Sequence, residues 1–151
     1  MKDTLKKYYI LEKVLGYFKS QPIVLILFLS VLIRLLYLLI KYPLWWDAYV
    51  YIGIGKYIYS GGEIGIWESF RPLIHPLILG AFWKLGLSPI FFGKLLDIIF
   101  SLADIYLLYL IGRKIFDEKT ALLGALLFSL TPIFIMFSGL VLTEPLAIFF
   151  G

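Results

Sequence analysis

The sequence predicts an all-α, polytopic membrane protein with about three transmembrane helices, the start of a fourth, and two short interfacial helices in its first long loop. Three observations predict it. Of 151 residues, 62% are hydrophobic and 16% charged, with a mean hydropathy of +0.95. Soluble domains carry about a quarter of charged residues, so the apolar excess suits a chain whose outer surface faces lipid. Several apolar runs are long enough to cross a bilayer, and basic residues gather at a few places between them. Cysteine is absent, which excludes a disulfide framework, a thiolate metal site and a cysteine nucleophile.

Residues 1–22 form a basic segment, with Lys2, Lys6, Lys7, Lys13 and Lys19 against Asp3 and Glu12. Pro22 opens the run IVLILFLSVLIRLLYLLI, residues 23–40. That run is long enough to span roughly 30 Å of hydrocarbon. It is too long for the apolar part of a cleavable signal, and no small-residue cleavage site follows it. Lys and Arg are retained on the cytoplasmic side, so the N-terminus of this multi-pass protein is expected in the cytoplasm and the chain in the cell membrane.

Residues 41–89 read as one extracytoplasmic loop. Trp46 to Tyr59 is expected to be helical and ended by Ser60, Gly61 and Gly62. Its alternation of aromatic or Gly with aliphatic residues also matches a strand. An isolated strand would expose unpaired backbone to lipid, so the helix is preferred. Gly53 and Gly55 lack the strand, third glycine and helix of a nucleotide fingerprint. Pro72 to Leu85 is short for a span. Counting it as one would place Arg113, Lys114 and Lys119 opposite the basic N-terminus, so a helix lying in the interface is preferred.

The second span is Ile90 to Gly112, followed by the basic segment RKIFDEK, and the third is Ala121 to Phe137. SGLVLTEPLAIFFG then begins another apolar run. The domain reading is a cytoplasmic segment over 1–22 and a transmembrane domain over 23–151. Arg34 lies eight residues from Tyr42, and Asp97 seven from Ile90, so their expected depths match at about 1.5 Å per residue. The expectation is a structural Arg34–Asp97 pair, because unpaired charge in lipid is costly.

Under this topology Asp47 and Glu144 reach the same membrane face, together with Arg71 and His75. A carboxylate and a cation there can activate a hydroxyl and hold a lipid phosphate. Tyr51, among the aromatic residues of the loop, can stack on a sugar or belong to an interfacial aromatic belt. Plainer readings stand beside these. Asp47 and Glu144 each suit the first turn of a helix, with Thr143 as N-cap and Pro145 at the helix start. Arg71 can snorkel to headgroups, and a lone His is often structural.

The ordered series is more specific than any one residue. A single acid sits in WWDAYVYIGIGKYI, followed by RPLIHPLILGAFWKLG and then LLYLIGRKIFDEKTALLGALLFSLTPIFIMFSGLVLTEPL. Over Leu27 to Gly151 this resembles the GT-C membrane glycosyltransferases, in the polyprenyl-phosphate-sugar-dependent group of protein mannosyltransferases and aminoarabinose transferases. The resemblance implies inverting transfer of a sugar from a polyprenyl- or dolichyl-phosphate donor to a hydroxyl, on the extracytoplasmic side. By position it makes Asp47 the general base, Glu144 a second pocket acid, and Arg71 the grip on the lipid phosphate, with His75 and Tyr51 beside the substrate. No cofactor is implied beyond the donor substrate. A divalent metal is compatible with the chemistry, but no ligand spacing indicates one.

The implied partners are the bilayer, the donor and a second chain supplying further helices, since relatives carry many more spans. On that comparison the chain is expected to be the N-terminal part of a longer unit. Two departures stand out: Asp47 is followed by Ala48 where many relatives have Asp-Glu, and Pro72 by Leu73 where others have Pro-Pro. Two other functions fit the residues. One is a non-catalytic membrane subunit or remnant. The other is a small transporter or lipid-binding component with Arg34, Asp97 and Asp104 along a path.

Overall fold

A computed structural model describes residues 12–13, 16, 20–40 and 43–151. Most of the basic N-terminal segment, and Lys41 and Tyr42, lie outside the described residues. Among the described residues the regular elements are all α-helices, with no strand.

Helix α1, Pro22–Leu39, starts with proline at its first turn, where the missing N–H costs no hydrogen bond. It buries Ile23, Ile26, Ser30 and Arg34, a single helical face, and leaves Phe28, Leu32, Leu36 and Leu39 exposed for lipid. Helix α2, Trp46–Tyr59, has the predicted bounds. Helix α3, Ile74–Lys84, is slightly shorter than expected and packs along α2. The two backbones touch at Gly55 and Gly80. A side chain on Gly55 would begin 2.7 Å from the Gly80 nitrogen, so neither position has room for one.

Helix α4, Pro89–Ile115, is capped by Ser88, whose hydroxyl accepts from the Phe91 N–H at 3.3 Å. Its buried face runs Gly93, Asp97, Ser101, Asp104, Ile105 and Tyr109, so both of its acids and its serine face protein. Helix α1 and helix α4 are long and apolar enough to cross a membrane. Helix α5, Glu118–Leu130, returns beside α4 after a tight turn, burying Ala121, Ala125 and Ser129 at one-turn intervals. Small residues let helices approach closely where lipid supplies no hydrophobic drive between them.

The expected third span is divided. Thr131 is extended, as a residue before proline prefers to be, and Pro132 restarts the chain as helix α6, Pro132–Phe137. After Leu142, helix α7, Glu144–Phe150, packs back on α4, with Phe149 5.2 Å from Phe100 between ring centroids. Two apolar clusters result. One joins α1, α4 and α5 through Ile23, Ile26, Ile105, Tyr109, Ala121 and Ala125. The other gathers Ala48, Tyr51 and Ile52 of α2 and Leu79 of α3 around Leu140, Val141 and Leu142.

Candidate active site

Asp47 and Tyr51 are one turn apart on α2 and therefore share a face. Arg71 reaches that face from the segment before α3. Its guanidinium donates to Asp47 Oδ1 at 2.6 Å, to Glu68 Oε2 at 3.1 Å and to the Tyr51 hydroxyl at 3.4 Å. It also lies over the Tyr51 and Phe70 rings, 5.4 and 5.3 Å from their centroids. The hydrogen bond to Glu68, and next that to Asp47, push the Arg71 pKa above its ordinary value, so the group is a permanent cation.

The Asp47 side chain remains 40% accessible, which leaves room for another molecule to reach it. Asp47 stands in the first turn of α2 but caps no backbone N–H there; its carboxylate goes to Arg71. Arg71, for its part, has three side-chain partners within the protein.

Tyr51 links this cluster to the far end of the sequence. Its hydroxyl is 3.3 Å from Thr143 Oγ1, so the start of α7 and the start of α2 lie at the same end of the bundle. Thr143 does not cap α7 through its side chain, as the sequence suggested, because its hydroxyl is engaged by Tyr51 instead. Glu144 follows directly. It is half-buried, and its Oε2 is enclosed without a hydrogen-bond partner.

His75 lies beneath this layer. It is 1% exposed, its ring meets the Tyr51 ring edge-on at 5.5 Å, and its Nε2 is 3.7 Å from Asp97 Oδ1.

The expected Arg34–Asp97 pair is absent. Arg34 donates through Nε to Ser101 Oγ at 2.9 Å and through one terminal nitrogen to the Ser30 and Ser129 carbonyls at 3.4 Å. Asp104 is the acid near enough to attract it. Arg34 instead meets Ser101, one turn further along α4 than Asp97, and His75 occupies the place beside Asp97.

Glu68 escaped sequence reasoning. Its signal was its place three residues before Arg71 in WESFRP. Among the described residues no three His, Asp or Glu side chains gather as a metal site.

The arrangement presents a carboxylate, a fixed cation and two hydroxyls on one partly open face, backed by an apolar core. A family model described as dolichyl-phosphate-mannose-protein mannosyltransferase matches residues 70–150. The match takes in Arg71, His75, Asp97, Thr143 and Glu144, and begins after Asp47 and Tyr51. Neither a curated protein nor a solved structure matches the chain.

Proposed function

The chain belongs to the dolichyl-phosphate-mannose-protein mannosyltransferase family, membrane glycosyltransferases of the GT-C type, and from that premise we propose that Asp47, Arg71 and Glu144 serve sugar transfer from a lipid-phosphate donor to a hydroxyl acceptor. The observation that carries the reading is the convergence of Asp47, Tyr51, Arg71 and Thr143 at one end of the bundle.

In the proposed step the acceptor oxygen attacks the anomeric carbon of the sugar, on the face opposite the phosphate. The bond from that carbon to the phosphate oxygen breaks, and its electron pair leaves with the lipid phosphate. The acceptor proton passes to the Asp47 carboxylate. Arg71 stabilises the departing phosphate, and because that anion leaves readily a cation serves it better than a strong acid. A donor held by its lipid in the membrane removes much of the orientational cost of the encounter.

Without donor, Arg71 is neutralised by Asp47 and Glu68. A phosphate entering the site competes for the same N–H groups and leaves Asp47 free to accept a proton. Tyr51 bridges the acid-bearing ends of α2 and α7; buried, with Arg71 over its ring and His75 edge-on to it, it serves to hold the cluster together rather than as a stacking face for a sugar.

The membrane side follows from charge. Arg113, Lys114 and Lys119 stand near the α4–α5 turn, at the other end of the long α4. Retention of basic residues inside would put the Asp47 cluster on the extracytoplasmic side. Because the chain has no cysteine, single cysteines at Ser60 and Thr120 report this directly. Opposite-side labelling is expected, and labelling from one side would reject the topology.

Asp47→Asn tests the chemistry. It keeps size and hydrogen-bonding capacity but removes the proton acceptor, so transfer should fall by about a hundred- to ten-thousand-fold with folding retained. Wild-type transfer in that variant would reject the general-base role.

A further inference from the structure

The segment that carries Thr143 and Glu144 to the site has an unusual backbone. Leu140, Val141 and Leu142 are almost wholly buried, and Val141 has φ of 59°. Among the described residues it is the only one other than glycine with a positive φ. A β-branched side chain is strongly disfavoured there, because its Cβ crowds the backbone. Such a conformation persists only where surrounding contacts over-determine it.

Helix α4 supplies those contacts from two residues one turn apart. Asp97 Oδ2 accepts the Leu142 N–H at 3.3 Å, and the Val141 backbone also lies toward the same carboxylate. At Gly93 a side chain would begin only 2.7 Å from Val141 Cγ1, so the bare glycine provides the space that the Val141 side chain fills. The other oxygen of Asp97 faces His75, which supports the Tyr51 ring from below. Asp97 thus touches both halves of the site: the layer under Tyr51 and the turn before Thr143.

We propose that Asp97 is a positioning residue which, with Gly93, holds Val141 in its left-handed conformation and so sets Thr143 and Glu144 against the Asp47–Arg71–Tyr51 cluster. This rests on the proposed function only for its consequence in catalysis; the holding of the turn stands apart from it. Asp97 itself is 1% exposed and touches no substrate. It acts as an acceptor, so the neutral amide of asparagine should replace it. Its work is the strain at Val141, so a glycine at 141 should make it less needed.

Hydrogen exchange across the full chain in membrane-mimetic particles tests this with Asp97→Leu, Asp97→Asn, Val141→Gly and the Asp97→Leu/Val141→Gly double variant. Asp97→Leu should speed exchange around Leu142 by about tenfold, leaving α1 and α4 protected, since local opening is separable from global unfolding. Asp97→Asn should remain close to wild type, and the double variant should recover most of the lost protection. Uniform loss over all helices, no change at Leu142, equal loss in Asp97→Asn, or no recovery in the double variant would each overturn the proposal.

Transfer assays add the catalytic consequence. Turnover should fall in Asp97→Leu with little change in donor KM, and return in the double variant. If Asp47→Asn retains transfer, the catalytic reading fails, and the exchange data still decide the role of Asp97 in the turn.

Discussion

Arg34 and Arg71 are both held by protein, in opposite ways. Arg34 is fully buried between α1, α4 and α5, has a serine hydroxyl and two carbonyls as hydrogen-bond partners, and keeps one terminal nitrogen without a partner. Arg71 is partly open, and two carboxylates and a tyrosine hold it through all three nitrogens. The buried arginine has neutral partners that cannot leave, whereas the open one has charged partners that a stronger anion can displace. A cation that must exchange partners needs water or ligand access; a cation that joins helices needs neither. Charge alone does not mark a functional residue in this chain. Exposure together with replaceable partners does.

The strongest way to break that comparison is to remove Arg71. In the proposed site Arg71→Leu should lower transfer by about a hundredfold or more, as loss of a preorganised electrostatic donor does elsewhere. Folding should change little, because Asp47 and Glu68 are accessible enough to regain water. Arg71→Lys should recover only part of the rate, since a single ammonium cannot reproduce the fork that reaches Asp47, Glu68 and Tyr51 together. Transfer rates and thermal unfolding of the three proteins check this. Unfolding of Arg71→Leu with wild-type kinetics in its folded fraction would reverse the assignment.

Arg34 should show the opposite pattern. Arg34→Leu removes the cation that attracts Asp104 and strands Ser101, so it should destabilise the bundle by about 3 kcal/mol. Replacing both Arg34 and Asp104 by leucine should recover much of that loss, because an apolar pair leaves no uncompensated charge in lipid. Equal loss in the single and double variants would show that Arg34 and Asp104 do not act together. Ser101→Ala is milder. It strands only the Nε donor and should cost about 1 kcal/mol, in keeping with hydrogen bonds between membrane helices.

The contrast also shows what could be read from the sequence. Helix α2 was legible because an isolated strand would leave its backbone unpaired in lipid, and because Ser60-Gly61-Gly62 supplies its stop. The meeting of α2 with the start of α7 at one end followed from counting passes, even though the third pass is divided at Pro132. Side-chain partners were not legible. Counting depth alone paired Arg34 with Asp97, and neither helical phase, the reach of the arginine side chain to Ser101, nor His75 entered that estimate. Glu68 was not singled out, because one acid in a loop carries no periodic signal. The left-handed Val141 had no local signal at all, since its sequence, Leu-Val-Leu, favours extended backbone. What tertiary packing imposes against local preference is what a single sequence hides.

The smallest expected effect sets the lower limit of the comparison: a charge that is exposed, local and structural. Asp117 caps α5, accepting the Thr120 N–H at 3.0 Å and the Thr120 hydroxyl at 2.8 Å. The backbone N–H, then the hydroxyl, hold its pKa below the ordinary aspartate value. A depressed carboxylate pKa means the cap contributes at neutral pH and loses its contribution as pH falls through that lowered pKa. Above the ordinary aspartate range nothing should change. Hydrogen exchange at Thr120 and Ala121 should therefore show extra loss of protection only in acid, and Asp117→Asn should remove that pH dependence while keeping most of the cap. Asp117→Ala should fray the first turn at every pH and leave transfer untouched. Altered transfer in Asp117→Ala would mean that the α4–α5 turn communicates with the far end of the bundle, and exposure with replaceable partners would no longer suffice to separate functional charge from structural charge.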